Sequence, residues 1–158
     1  MQRAIHNAAR VRTSTSPNPW VGCVVQTVDG RCFDGATEPP GGRHAEIVAL
    51  HAAMAAGADL AGATVWTTLE PCNHHGRTPP CTEALAGAGV AHVVVAVTDP
   101  DPLVSGSGVG RLRDEGIEVT IGVEAELVAE QLRPYLHHRR TRRPFVVLKL
   151  AHTLDGRV

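Results

Sequence analysis

Four side chains in this 158-residue sequence have the types and settings to do chemistry together. They are His44 and Glu46 in His44-Ala45-Glu46, Cys72 after Pro71, and Cys81 after Pro79-Pro80. Two thiolates and one imidazole suit a borderline-soft divalent cation, for which Zn²⁺ is the commonest fit. Three protein ligands leave a fourth position for water, the arrangement of catalytic rather than structural zinc. Such an ion lowers the pKa of its water from about 15.7 to about 7, which makes a nucleophile available at neutral pH. Glu46 stands two residues beyond His44, and two helical steps rotate by about 200°. On a helix the pair cannot share one face, so Glu46 reads as a carboxyl that approaches the water from the side and carries protons to a leaving amine. This is the chemistry of hydrolytic deamination. A closed structural zinc knot, with His74 or His75 as fourth ligand, is the alternative, although a domain this long does not need a metal to fold.

The other cysteines and histidines have plainer settings. Cys23 sits in the apolar run VGCVV and Cys32 just past Asp29-Gly30, so both are expected to be small core residues. His137 and His138 belong to a basic stretch, and His6, His51 and His92 lie on or beside predicted elements.

The elements that must position the four residues alternate along the chain. Residues 1–12 read as a helix with Ile5, Ala8, Ala9 and Val11 inward; STSPNP at 14–19 cannot continue it, because two prolines and an asparagine break it. Strands are predicted at 21–28 and 31–36 around a tight Asp29-Gly30 turn. An Ala-rich helix opens at His44 and runs to about 56, with Gly57 as its stop. A strand at 64–69, a loop at 70–80 and a helix at 81–88 follow, the prolines before Cys81 favouring a helix start. Val93–Val97 is the most apolar strand and fits a central position. A helix near 108–115, a strand at 117–121 and one long helix at 124–138 come next, and 145–150 is strand-like. Strands separated by helices predict an α/β fold, a three-layer α-β-α sandwich around a mixed sheet of about five strands.

Composition narrows the function. Sixteen acidic against fifteen basic residues leave a formal charge of -1, and 3% of residues are aromatic, so neither a field for nucleic acid nor stacking platforms for bases are provided. The longest uncharged stretch falls short of a membrane span, and MQRAIHNAAR carries polar residues where a secretion signal needs an apolar core. A cytoplasmic protein with no nucleic-acid or membrane partner is expected.

The motif set resembles the zinc signature of the cytidine-deaminase superfamily, whose usual P-C-x-x-C spacing is lengthened here between Cys72 and Cys81. That insert is similar to the deaminase domain of the bifunctional riboflavin-biosynthesis RibD (RibG) family. TSPNPWVGCV, GGRHAEIVA, TLEPCNHHGRTPPC, DPDPLVSGSG and KLAHTLDGR carry the resemblance over nearly the whole chain. It implies a cytidine-deaminase-like fold and hydrolytic removal of the 2-amino group of 2,5-diamino-6-(5-phosphoribosylamino)pyrimidin-4(3H)-one, giving 5-amino-6-(5-phosphoribosylamino)uracil and ammonia. It further implies one Zn²⁺ per chain on His44, Cys72 and Cys81, Glu46 as proton shuttle, and Asn18 holding the ring. His74, Arg77 and Thr78 would meet the ribose phosphate and Asp99 the ribose or ring, with turn or cap roles as the alternative for Thr78 and Asp99. A homo-oligomer is expected, with residues 1–143 as the deaminase domain and 144–158 as the start of an NADPH-dependent reductase domain. The arginine-rich stretch 133–143 reads as a solvated helix end and linker. Arg43, Asp101 and Trp20 depart from the family pattern: Asp101 sets a carboxylate near an anionic substrate and Trp20 could narrow the pocket. Another nucleobase or nucleoside deaminase of the superfamily, or a non-catalytic assembly module, are the rival functions.

Overall fold

A computed structural model describes residues 1–75, 79–101, 104–151, 153 and 155–157. The chain runs α1 (Gln2–Arg10), β1 (Gly22–Gln26), β2 (Cys32–Ala36), α2 (Ala45–Ala55), β3 (Thr64–Leu69), α3 (Cys81–Gly87), β4 (His92–Val97), α4 (Ser107–Asp114), β5 (Glu118–Ile121), α5 (Ala125–Gln131) and α6 (Arg133–Thr141). The five strands form one mixed sheet in the order β2-β1-β3-β4-β5. β1 is antiparallel to both β2 and β3, and β3, β4 and β5 are parallel. β4 is almost continuously apolar, with Val93 and Val95 fully buried, as a strand covered on both faces requires, while β3 buries Val65 together with Thr67 and Thr68.

Two glycines reveal how the layers close. A Cβ on Gly22 would stand 1.9 Å from Ala4 O of α1, and one on Gly35 would stand 2.0 Å from Ala45 O of α2. Gly35 pairs with Cys23, the neighbour of Gly22 in β1, so the two glycines face opposite sides of the sheet. α1 therefore covers one face and α2 the other, each drawn close because no side chain intervenes. α5 joins α1, where Gln131 Nε2 donates to Ile5 O at 2.9 Å. The three-layer sandwich predicted from the sequence is the fold observed.

The differences are local. Ala4, Asn7 and Ala8 are the buried residues of α1, whereas Ala9 is exposed; close approach to Gly22 favours the smallest side chains over the largest apolar ones. Cys23 is in the core, but Cys32 lies half-buried on the edge strand β2. The single helix predicted over 124–138 is two. Pro134 has no N–H to give and its ring would meet the carbonyl four residues back, so α5 stops and α6 starts anew with the proline in its first turn. α6 is solvated at its end, where residues 140–143 are exposed, whereas Leu136 is buried in the core. Residues 144–150 pair with no strand among the described residues, and Val146, Val147, Leu148 and Leu150 are exposed.

Candidate active site

One cleft of about 290 Å³ opens at the carboxyl ends of β2, β3 and β4, the edge where α/β sheets place ligands. Thr37 follows β2, Glu70 and Cys72 follow β3, and Asp99 and Asp101 follow β4; because β1 runs the other way, Asn18, Pro19 and Val21 reach the same edge just before it. His44 and Glu46 enter from the start of α2.

His44 is not inside the helix it precedes. It is the N-cap residue, with extended backbone at φ -72° and ψ 160°. The helical rotation between His44 and Glu46 expected from the sequence therefore does not apply, and both side chains line the cleft. His44 Nδ1 lies 3.4 Å from Cys72 Sγ and 3.3 Å from Cys81 Sγ, and the three ligand atoms all fall within 4.8 Å of one another. A tetrahedral zinc with ordinary Zn–N and Zn–S bonds would set N and S about 3.5 Å apart. The donors fit such an ion in type, number and spacing.

The surroundings fix this trio. Cys81 N–H donates to Cys72 Sγ at 3.4 Å and Thr82 N–H to Cys72 O at 3.2 Å, which ties the loop after β3 onto the first turn of α3. Asn73 Oδ1 accepts from Thr82 Oγ1 at 2.9 Å and adds a second tie. Glu70 does more: its carboxylate accepts the N–H groups of Asp99, Gly106, Gly108 and Val109 at 3.0–3.1 Å. It thus holds the loop after β4 and the start of α4 against the Pro71-Cys72 corner. A hydrogen bond from the Cys81 thiol, then from His44 and the Cys81 amide, pushes Cys72 below the usual thiol range. Cys81 is pushed up, first by that same shared proton and then by burial. Contact with Cys72 raises His44. Glu46 is 4% exposed; burial, and secondly the nearby Cys72, raise its pKa.

Of the expected substrate residues, Asn18, His74 and Asp99 line the cleft. Asn18 is held by a reciprocal pair with Thr15: Asn18 N–H donates to Thr15 O at 2.8 Å, and Thr15 Oγ1 donates to Asn18 O at 3.1 Å. Asp99 makes the turn contact that was its alternative, accepting Asp101 N–H at 2.9 Å, and also accepts Tyr135 O–H at 2.8 Å. Arg77 and Thr78 lie outside the described residues. Arg43 is drawn away from the metal trio: its fork grips Glu38 at 2.6–3.2 Å and Nη1 lies 3.0 Å from His51 Nδ1. Trp20 does not line the cleft; it packs against the core, with the Arg12 guanidinium 5.5 Å over its ring.

The residues not anticipated are Thr37, Glu70, Tyr135 and Arg139. Glu70 stood inside the quoted TLEPC block and was readable there as a buried acid between a strand and a cysteine. Tyr135 and Arg139 had no local signal, since only the turn into α6 brings them over the cleft.

Residues 1–97 match the cytidine and deoxycytidylate deaminase zinc-binding region. The chain belongs to this deaminase family. Within it, the chain is 46% identical over 158 residues to the riboflavin biosynthesis protein RibD of Escherichia coli, an alignment that takes in 99% of the chain and 42% of that protein. The structure of Acinetobacter baumannii RibD superposes with a TM-score of 0.90 at 47% identity, covering 98% of this chain and 43% of that one. A Thermotoga maritima protein described as a diaminohydroxyphosphoribosylaminopyrimidine deaminase/5-amino-6-(5-phosphoribosylamino)uracil reductase gives 0.92 at 43% identity, covering 99% and 44%. This deaminase chain thus spans less than half the length of these relatives.

Proposed function

We propose that the chain hydrolyses the 2-amino group of 2,5-diamino-6-(5-phosphoribosylamino)pyrimidin-4(3H)-one to give 5-amino-6-(5-phosphoribosylamino)uracil and ammonia. The observation that carries the proposal is the convergence of His44 Nδ1 and the Cys72 and Cys81 sulfurs to 3.3–3.4 Å contacts beside a buried Glu46 in one cleft. The similarity to RibD proteins along the chain selects the substrate.

His44, Cys72 and Cys81 would hold one Zn²⁺, which supplies a water of lowered pKa when bound. Glu46 takes a proton from the attacking water and delivers it to the ring nitrogen beside the amino-bearing carbon. As the C–N bond breaks, the same carboxyl takes the remaining proton from the hydroxyl now on that carbon and passes it to the departing amine, so that water and substrate become carbonyl product and ammonia. Its burial suits this duty, because a carboxyl kept from bulk water holds a proton more readily than a solvated one. Asn18 and Asp99 orient the ring and ribose, and His74 meets the outer part of the substrate, with Arg77 and Thr78 assigned to the phosphate by family resemblance. Residues 1–143 make up the deaminase domain and 144–158 the opening segment of a reductase domain. Ammonia release from the diaminopyrimidine phosphate, assayed beside cytidine, tests the substrate: release from the first is expected, and release from cytidine alone would overturn the assignment.

A further inference from the structure

We propose that Arg139 of α6 determines specificity for a phosphorylated substrate, cancelling the carboxylate of Asp101 and leaving the cleft a guanidinium for the phosphate. The inference rests on the function proposed above.

Among the described residues that line the cleft, Arg139 is the one arginine or lysine, and it stands against four carboxyl side chains. Those four are not equivalent. Glu46 belongs to the reacting centre, and Glu70 spreads its charge over four backbone N–H groups. Asp99 accepts from Tyr135 and from the Asp101 amide. Asp101 is answered by Arg139, whose Nη1 lies 3.0 Å from Asp101 Oδ2 with the two side chains 29% and 12% exposed. A half-buried pair of this kind is weakly screened, so loss of the Arg139 charge would leave the negative charge of Asp101 less compensated towards an entering dianion.

The guanidinium is also pre-set for planar recognition. It lies 5.2 Å from the centroid of the Tyr135 ring, and Tyr135 is itself fixed by its bond to Asp99. Its Nε is buried and has no hydrogen-bond partner among the described residues. With Nε enclosed by protein, the guanidinium is held in place, and a phosphate oxygen is the acceptor that its charge-assisted N–H groups match best. An arginine on a solvated helix would show neither feature.

The test uses ribose 5-phosphate as probe, titrated calorimetrically into the whole chain and into Arg139→Gln, Arg139→Lys and Arg139→Gln/Asp101→Asn. Binding by the unaltered chain is expected to weaken about tenfold or more in Arg139→Gln and less in Arg139→Lys. It should recover in part when Asp101→Asn removes the negative charge opposite. In ammonia-release assays Arg139→Gln should raise KM for the phosphorylated pyrimidine far more than it lowers kcat, and should leave KM for the dephosphorylated compound little changed. Failure of the unaltered chain to bind ribose 5-phosphate, equal binding by Arg139→Gln, or an equal loss on both pyrimidines would each overturn the proposal. Absence of ammonia release from the unaltered chain, with the binding series as expected, would instead sink the proposed reaction and leave Arg139 as an anion-binding residue. Should Arg139→Gln fail to fold, Arg139→Lys carries the test, because it keeps the charge opposite Asp101 and loses only the fork.

Discussion

At the scale of single residues, the proposed reaction separates groups that hold a metal from a group that transfers protons. Cys72→Ser replaces a soft donor with a poor one and should lower bound zinc from about one per chain to near none, read by elemental analysis. Glu46→Gln keeps the shape, removes the titrating oxygen, and should retain zinc while ammonia release falls by roughly 10²–10⁴-fold. Retained activity in Glu46→Gln would remove Glu46 from proton transfer. A second residue-scale expectation concerns the loop before α2, where hydrogen bonds from the Arg43 side chain and then its backbone N–H hold Glu38 well below its ordinary 4.5, at about 2. Because the folded value is the lower one, this contact contributes fully above pH 4.5 and is lost as pH falls from 4.5 towards 2. An NMR titration of the Glu38 carboxyl carbon should give that depressed midpoint, and Arg43→Gln should return it to the usual range.

At the scale of elements, precision at the cleft depends on how closely helices sit on the sheet. Gly35→Ala would drive a methyl to 2.0 Å from Ala45 O, at the first residue of the helix that presents His44 and Glu46. Gly22→Ala meets α1 as tightly, 1.9 Å from Ala4 O, but α1 brings no residue to the cleft. Both should destabilise by at least about 1–3 kcal/mol in chemical denaturation. Where the folded protein is assayed, Gly35→Ala should lose zinc and activity far more than Gly22→Ala. The alternation of strands and helices was readable from hydrophobic period and breakers, and His44, Glu46, Cys72 and Cys81 from their types and spacing. What escaped was non-local. The N-cap geometry that frees His44 from the helical rotation, the four amides gathered by Glu70 and the return of α6 onto Asp99 all arise from backbone segments meeting in space. Pro134 was visible, but its power to restart rather than merely bend the helix depends on Leu136 finding the core.

At the scale of the whole molecule, the core is continuous from α1 to α6, while the stretch after Pro144 stands apart. Phe145 still rests on α6, with the Arg133 guanidinium 4.9 Å from its ring and His137 edge-on at 5.6 Å. Beyond it Val146, Val147, Leu148 and Leu150 are 69–79% exposed. An apolar run of that kind promotes association. Removing residues 146–158 should leave the melting temperature within about 1–2 °C and should reduce self-association in light scattering. A large drop in melting temperature would mean that the run has a place in the core. No helix among the described residues is long and apolar enough to cross a membrane.

The placement of α6 carries a consequence for how such a catalyst can change. The groups proposed to break the bond all come from His44 to Cys81, whereas Tyr135 and Arg139 arrive from a helix whose attachment is a proline-marked break. A graft of a different final helix could therefore retune which molecules are admitted while the machinery that works on them stays untouched.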